Sequence, residues 1–245
     1  MPPVRRVDPP RSLRRPIALV LGGAGLLAAA LITLSLIGGR AAEAGSGTPA
    51  PRAMQTPAGR DPLFRGIRQQ GIALGNAQAP VTLVEYADLQ CPYCAQWARD
   101  ALPTIVADYV RSGKVRLVFH GLSFLGPDSD KALRAALAAG RQNRVWDVVH
   151  ALYVHQGAEN VGWVTDELLQ SLGDTGVDVD RMLSETSSSW VDDAVRAAAR
   201  AAEAAGVPGT PFFEVGPTGG ELEPLHVREL DAATFTAELD RLLAE

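Results

Sequence analysis

The sequence predicts an α/β domain in which helices flank a mixed central sheet, with an inserted helical block and one membrane-spanning helix before the domain. The domain is predicted by the order of its elements. Short β-branched runs and helical stripes follow one another as β-α-β, a helical block, then β-β-α. The membrane helix is predicted by an uncharged apolar run from Ile17 to Ile37. Apolar residues make up 47% of the 245, which is enough for a sizeable core.

The segment before the domain predicts how the chain is placed at a membrane. Arginines precede the apolar run, so the positive-inside rule puts residues 1–16 in the cytoplasm and the domain on the extracytoplasmic side. We expect residues 17–38 to be a retained anchor or an uncleaved signal. A cleaved signal peptide stays open as an alternative, because Ala42–Ala44 has a small-x-small pattern. Residues 39–63 are rich in Ala, Gly and Pro and predict a flexible linker before a folded domain at 64–245.

The distribution of charge argues against nucleic acid as a partner. The net charge is −5, and the first 40 residues carry six arginines and one acid, so the remainder holds a charge of −10. Lys114 and Lys131 are the two lysines of the whole chain. Binding to nucleic acid needs a basic face that neutralises phosphates, which this acidic domain is not expected to offer.

The first elements of the domain form a βαβ unit. Val81–Tyr86 is short and apolar on both faces, which is typical of a buried central strand. Residues 91–112 carry a helical stripe that stops at Gly113, and Pro103 should kink this helix. Val115–His120 predicts a second strand. A strand, a helix and a strand within so short a stretch predict two parallel neighbours in one sheet.

The rest of the domain is predicted as an inserted helical block at about 127–206, followed by a hairpin and a closing helix. The hairpin joins Phe212–Val215 to a partner around Leu222–Leu225, and the last helix covers about Ala232–Leu243. The helical pieces expected in the insertion are Lys131–Ala139, Val145–Val154, Glu167–Leu172, Arg181–Leu183 and Trp190–Ala205.

The two cysteines of the chain, Cys91 and Cys94, are the strongest functional signal. Zinc is improbable because a structural site needs four ligands, the chain has no second pair of cysteines, and its four histidines are scattered. A structural disulfide is the ordinary interpretation in a secreted chain, but so short a loop constrains little of the unfolded state. Cys91 is expected at a helix N-terminus, where backbone N–H groups lower its pKa and favour the reactive thiolate. Cys94, one turn later, would then resolve a mixed disulfide.

Two motifs and their spacing carry a resemblance to a known family. They are VEYADLQCPYC, at the end of the first central strand, and GVPGTPFFEVG at 206–216, with helices of suitable length between them. From about Gly75 to its end, the chain resembles the DsbA-type extracytoplasmic thiol–disulfide oxidoreductases. The resemblance implies a thioredoxin fold with a helical insertion.

The resemblance also implies a set of site residues. Glu85 matches a buried acid beneath the cysteines, where burial would raise its pKa and let it exchange a proton with the inner cysteine. A strand carboxylate that points to solvent stays open as the alternative, because Val84 and Tyr86 do not show which face Glu85 takes. Pro211 matches a proline whose cis peptide bond turns the backbone of Thr210 towards the substrate. Pro92 stiffens the turn between the cysteines. Tyr93 fills the variable position without adding a positive charge, which suggests a less extreme oxidant than relatives with histidine there.

The sequence therefore predicts a membrane-anchored enzyme that oxidises exported proteins through their cysteines and uses no metal or organic cofactor. The resemblance implies a membrane quinone-linked oxidase of the DsbB or vitamin K epoxide reductase type that reoxidises it. A disulfide reductase or isomerase of the same fold is the alternative, although the short linker leaves no room for the dimerisation domain of bacterial isomerases. A non-catalytic binding domain with a structural disulfide is a further alternative.

Overall fold

The computed structural model describes residues 61–244, and within them the core is a six-stranded mixed sheet. The strands are β1 (Gln69–Gln70), β2 (Ala73–Leu74), β3 (Val81–Asp88), β4 (Val115–Leu122), β5 (Phe212–Pro217) and β6 (Glu223–Pro224). Their order in the sheet is β1-β2-β4-β3-β5-β6. Strand β3 runs parallel to β4 and antiparallel to β5, so the predicted parallel pair is present.

The central strand β3 positions the site, because the sheet surrounds it on both sides. All eight of its residues are buried, including the carboxyl groups of Glu85 and Asp88. The strand continues two residues past the predicted end at Tyr86, since Ala87 and Asp88 still pair with β4. Its carboxyl end therefore carries the chain directly into the turn before the cysteines.

The single helix predicted over 91–112 is wrong in its continuity. The structure has α1 (Pro92–Asp100), then α2 (Leu102–Ile105), then a π-helical turn at Val106–Val110. The break at Ala101 has a physical cause, because Pro103 has no N–H to donate to the preceding turn and instead lies in the first turn of a new helix.

The predicted helical block is present as five helices, most with a recognisable start. Thr165 and Asp178 accept hydrogen bonds from the N–H groups of Leu168 and Arg181, which is the ordinary N-cap arrangement. The first helix begins at Pro127, before the predicted start at Lys131, with Pro127 in its first turn. The helices are α3 (Pro127–Ala138), α4 (Val145–Val154), α5 (Asp166–Ser171), α6 (Val179–Glu185) and α7 (Ser189–Ala204), and α8 (Ala232–Leu243) follows the hairpin.

An aromatic cluster fixes α1 against the sheet. Trp97 of α1 lies 5.2 Å from Phe213 of β5 and 5.9 Å from Phe235 of α8, measured between ring centroids. All three rings are almost completely buried. Each large buried side chain contributes about 1.5–3 kcal/mol by leaving water. The cluster therefore holds the helix that carries the cysteines firmly against the end of the sheet.

The predicted membrane anchor at 17–38 and most of the predicted linker at 39–63 lie outside the described residues. Among residues 61–244, no helix combines the length and the apolar character that crossing a bilayer requires. The placement of the domain relative to a membrane therefore stays a prediction.

Candidate active site

The active-site turn, Asp88–Cys91, joins the end of β3 to the start of α1. The Cys91 N–H donates to the Asp88 carbonyl at 3.0 Å, and the Cys91 carbonyl accepts the first helical bond from Ala95 at 3.2 Å. Cys91 has extended backbone angles and is the N-cap of α1, with Pro92 as the first helical residue. Pro92 fits there because its missing N–H would have no helical partner. Both cysteines are free thiols in this structure.

Cys91 lies in surroundings that favour its thiolate. Its pKa falls from 9.0 to about 6, chiefly because the Cys94 thiol donates a hydrogen bond to it, with further help from the Thr210 side chain and the N–H groups of Cys94 and Tyr93. Burial opposes this shift, since the residue is 4% exposed. The pKa of Cys91 is therefore lowered, as expected, but the largest cause is the neighbouring thiol and not the helix end.

Cys94 lies in surroundings of the opposite kind. Its side chain is completely buried, and burial raises its pKa well above the ordinary value. The hydrogen bond that it donates to Cys91 and the negative charges on Cys91 and Glu85 raise the pKa further. One sulfur of the pair is therefore adapted to carry negative charge, while the other keeps its proton.

Glu85 lies on β3 on the same face as Leu83 and Ala87, which pack in the hydrophobic cluster that contains both cysteines. It is 2% exposed, and neither of its carboxyl oxygens has a hydrogen-bond partner among residues 61–244. Burial raises its pKa well above the ordinary value, and charge on Cys91 adds to the effect. A carboxyl group in this state keeps its proton at a pH at which an exposed carboxyl group has lost it.

Asp88, three residues further along β3, is fully satisfied. Its carboxylate accepts hydrogen bonds from the Ser129 hydroxyl at 2.6 Å, from the Gln90 N–H at 2.9 Å, and from the N–H groups of Phe124 and Leu125 at 3.1 and 3.2 Å. These donors come from three segments of the chain. Asp88 therefore holds the turn to the loop after β4 and to the start of the helical insertion.

Gln90 and Asn160 extend this network, and sequence reasoning did not find them. The Gln90 side chain donates to the Ser129 hydroxyl at 2.9 Å and accepts from the Asn160 N–H at 2.7 Å. Gln156 donates to the carbonyl groups of Leu89 and Cys91 at 2.9 and 3.1 Å. Nothing local in the sequence marks these residues, because their partners lie 39 to 70 positions away.

The loop before β5 faces the cysteines from the other side. The Thr210–Pro211 peptide bond is cis, and the Cys91 thiol donates to the Thr210 carbonyl at 3.3 Å. A thiolate cannot make that bond, but the Thr210 hydroxyl can donate to it once the thiol has lost its proton. The structure thus brings Cys91, Cys94, Glu85 and Thr210–Pro211 together, while Tyr93 projects outward and is 62% exposed.

The rim around the cysteines carries apolar side chains that face solvent. Phe124 follows β4 and its N–H binds Asp88, while Val161 lies beside Asn160, which binds Gln90. A groove of about 560 Å³ lies between the loop after β4 and the segment before Thr210. The large apolar side chains that are exposed among the described residues are Tyr93, Phe124, Val154 and Val161. No cluster of His, Cys, Asp or Glu within residues 61–244 has the grouping that a metal ion would need.

The comparisons with known proteins give the family. A family model described as Thioredoxin matches residues 68–230. The chain is 31% identical over 158 residues to "Probable disulfide bond formation protein D" of Bacillus anthracis, and the match covers 62% of this chain and 72% of that protein. This chain belongs to the thioredoxin family, and it is a protein-disulfide oxidoreductase. It is also 32% identical over 167 residues to "Na(+)/H(+) antiporter NhaA 3" of Salinispora tropica, but it spans only 24% of that protein.

Solved structures agree with the thioredoxin-like fold. BdbD from Bacillus subtilis, in its oxidised form, superimposes with a TM-score of 0.62 at 21% identity, over 73% of this chain and 97% of that one. The α-DsbA1 protein of Wolbachia pipientis gives a TM-score of 0.61 at 21% identity, over 71% of this chain and 90% of that one. At this level of identity the likeness shows that the fold is shared, including a mixed sheet flanked by helices.

Proposed function

We propose that this protein introduces disulfides into exported proteins by dithiol–disulfide exchange at the sequence Cys91-Pro92-Tyr93-Cys94. The observation that carries the proposal is the asymmetry of the two cysteines. Cys91 ionises with a pKa of about 6, whereas burial holds Cys94 protonated well above its usual range. A structural disulfide has no need of this difference. An exchange reaction does, because one sulfur must leave as a thiolate each time a mixed disulfide is resolved.

The proposed reaction moves two electrons from the substrate to the enzyme. A substrate thiolate attacks the Cys91 sulfur of the oxidised enzyme, the Cys91–Cys94 bond breaks, and its electron pair leaves with Cys94. A second substrate thiolate then attacks the substrate sulfur of the mixed disulfide. The new substrate disulfide forms and Cys91 leaves as a thiolate. Its low pKa makes it a good leaving group, and this favours oxidation of the substrate.

Glu85 supplies the proton that the buried sulfur needs. Cys94 leaves as a thiolate in a buried position, where a negative charge is costly. The neutral carboxyl group of Glu85 donates its proton to Cys94 and regains one from solvent later in the cycle. Support for this step comes from the burial of Glu85, its raised pKa, and its electrostatic interaction with Cys94.

The substrate segment docks across the cis-proline loop. An extended peptide can hydrogen-bond to the backbone beside Thr210, as an added strand does, while its cysteine reaches Cys91. Tyr93 and Phe124 are exposed and offer apolar contacts to a bound segment. Pro92 keeps the turn between the cysteines in the conformation that leaves Cys91 at the helix end. Apolar contacts suit unfolded chains, which expose side chains that folded proteins bury.

The cellular setting remains part of the proposal. The apolar run and its preceding arginines support a single-pass anchor at 17–38 with the domain outside the cytoplasm. A quinone-linked membrane oxidase of the DsbB or vitamin K epoxide reductase type would return the cysteines to the disulfide. A thiol–disulfide oxidase needs such an acceptor because each turnover leaves its own pair reduced.

The redox equilibrium with glutathione tests the direction of the reaction. The purified protein is incubated with reduced and oxidised glutathione in varied ratio, and the reduced fraction is measured by trapping free thiols. A potential above about −200 mV supports an oxidase, and one near the value of about −270 mV typical of thioredoxin supports the reductase alternative. As a second test, Cys94→Ala in cells should collect exported proteins as mixed disulfides on Cys91. If no adducts form, the protein does not exchange disulfides with exported substrates.

A further inference from the structure

The end of α4 places a second unpartnered polar group near the cysteines. Tyr153 is 3% exposed, and its hydroxyl has no hydrogen-bond partner among residues 61–244. A buried hydroxyl without a partner costs stability that a phenylalanine in its place would not cost. Neither the fold nor the reaction as described so far uses this hydroxyl.

Tyr153 is held close to the active-site turn by its neighbour Gln156. The Gln156 N–H donates to the Tyr153 carbonyl at 3.3 Å, so the two residues belong to one turn of the chain. The Gln156 side chain donates to the carbonyl groups of Leu89 and Cys91. The end of α4 therefore contacts the backbone of the active-site turn, and α4 packs against α1, the helix that carries Cys94.

The electrostatic surroundings of the phenol point to the second sulfur. Burial raises the pKa of Tyr153 well above its ordinary value, and among the charged neighbours Cys94 has the largest effect, followed by Glu85 and Cys91. The phenol thus stays protonated, and it is a donor whose strongest electrostatic partner is Cys94. A donor close to a buried anion stabilises it far more than the same donor in water would.

We propose that the Tyr153 hydroxyl donates a hydrogen bond to the Cys94 sulfur as the disulfide opens. When a thiolate attacks Cys91, a bond forms at Cys91 and the electron pair of the Cys91–Cys94 bond goes to Cys94. The negative charge is therefore created in a buried layer, before Glu85 has transferred its proton. Tyr153 stabilises this charge without giving up its own proton. The inference deepens the proposed function and depends on it for the identity of the leaving sulfur.

The substitution Tyr153→Phe tests the proposal because it removes the hydroxyl and keeps the ring. Dithiothreitol is the probe, and the rate at which it opens the disulfide of the oxidised full chain is followed by rapid mixing. The charge on the leaving sulfur is about half developed in the transition state, so the variant should open roughly three- to tenfold more slowly. Alkylation of reduced Cys91 by iodoacetamide should change by less than about twofold, because no charge forms on Cys94 in that reaction.

The matched control is Tyr109→Phe, which removes the hydroxyl of another buried tyrosine, one that donates to Asp240 of α8 at 2.7 Å. It should leave both rates at their wild-type values. Equal opening rates for Tyr153→Phe and the wild type would overturn the proposal, and so would a loss in which opening and alkylation fall together, since that marks a general disturbance of the site. The glutathione equilibrium tests the proposed function separately. Oxidation and reduction pass through the same leaving sulfur, so the Tyr153 hydroxyl affects the rate of both and does not decide the direction of the reaction.

Discussion

The active-site turn, Asp88–Cys91, differs from the buried layer beneath it in how its polar groups are stabilised. The buried layer is formed by Glu85, Cys94 and Tyr153. In the turn, the Asp88 carboxylate has four donors, and the Cys91 pKa is lowered to about 6 by hydrogen bonds. In the layer, Glu85 and Tyr153 have no partner among the described residues, and the pKa of Cys94 is raised by burial. Cys91 and Cys94, which belong to the two regions, are only one helical turn apart.

The difference shows how two cysteines that are close in sequence can have surroundings with opposite effects on their pKa values. A satisfied network fixes geometry, so the turn can hold the Cys91 sulfur in place and stabilise its charge. An unsatisfied buried group costs about 1–3 kcal/mol and is retained where its chemistry is used. In the proposed reaction, the turn therefore positions the nucleophile, and the layer supplies the proton and the hydrogen-bond donor that the second sulfur requires.

Breaking the turn should have the largest effect. Asp88→Ala leaves four donors without an acceptor in a buried site, so we expect a loss of about 3–5 kcal/mol in the free energy of unfolding, measured by urea denaturation of the oxidised protein. Asp166→Ala is the matched control, because that carboxylate is exposed and its partner is Lys131, and it should leave the denaturation midpoint unchanged. A loss for Asp88→Ala below about 1 kcal/mol would show that the network does not hold the turn.

Changing the buried layer should have the opposite effect on the free energy of unfolding. Glu85→Leu removes an unpartnered carboxyl group, so we expect a gain of about 1–3 kcal/mol at neutral pH together with slower disulfide exchange. A variant less stable than the wild type would show that the Glu85 side chain stabilises the fold, and it would contradict the contrast between the two regions.

The pH dependence of stability sharpens the same contrast. The folded pKa of Glu85 lies above its unfolded value of 4.5, so folding favours the protonated form and its contribution is lost as the pH rises. The oxidised wild type should therefore lose stability as the pH rises from about 4.5 towards the folded pKa, whereas Glu85→Leu should lose less over the same window. Oxidised protein is used because neither cysteine then titrates. Parallel curves for the two proteins would contradict the raised pKa.

A smaller effect is expected from the loop that faces the turn. Thr210→Val removes a hydroxyl that helps to lower the Cys91 pKa but keeps the backbone carbonyl. The pKa of Cys91 should rise, and the rate of alkylation at pH 6 should fall about two- to fivefold, because less thiolate is present. Alkylation at pH 10, where the thiol is ionised in both proteins, serves as the internal control. A rate at pH 6 equal to that of the wild type would show that the Thr210 hydroxyl does not stabilise the thiolate.

The sequence predicted residues with local signatures better than residues held by distant contacts, and the reason is physical. Cys91, Cys94 and Pro211 have local signatures, since a CxxC after a strand and a Thr-Pro before one can be recognised within a few residues. Asp88 and Gln90 are bound by groups that lie 36 to 70 positions away, and only the folded chain brings them together. The face taken by Glu85 was left open because its strand is apolar on both sides, so no alternation marked an inner face.

The errors in the predicted secondary structure also have local causes. β1 and β2 are two residues long, too short for any periodicity to be detected. The helix over 91–112 was expected to bend at Pro103, but the chain starts a second helix there and adds a π-helical turn. Tyr153 lies in the helix predicted at Val145–Val154, but periodicity cannot show that its hydroxyl would be buried without a partner among residues 61–244.

The central claim, that hydrogen bonds to the Cys91 sulfur, above all from Cys94, keep Cys91 ionised while Cys94 stays protonated, is tested most directly by titrating Cys91. The rate of iodoacetamide alkylation of the reduced protein is measured from pH 4 to 10, with Cys94→Ala beside the wild type. The account predicts a wild-type midpoint at about 6, moving towards the ordinary value of 9.0 in Cys94→Ala, because the Cys94 thiol is the largest contributor. A wild-type midpoint near 9.0, or one that Cys94→Ala leaves in place, would contradict the account.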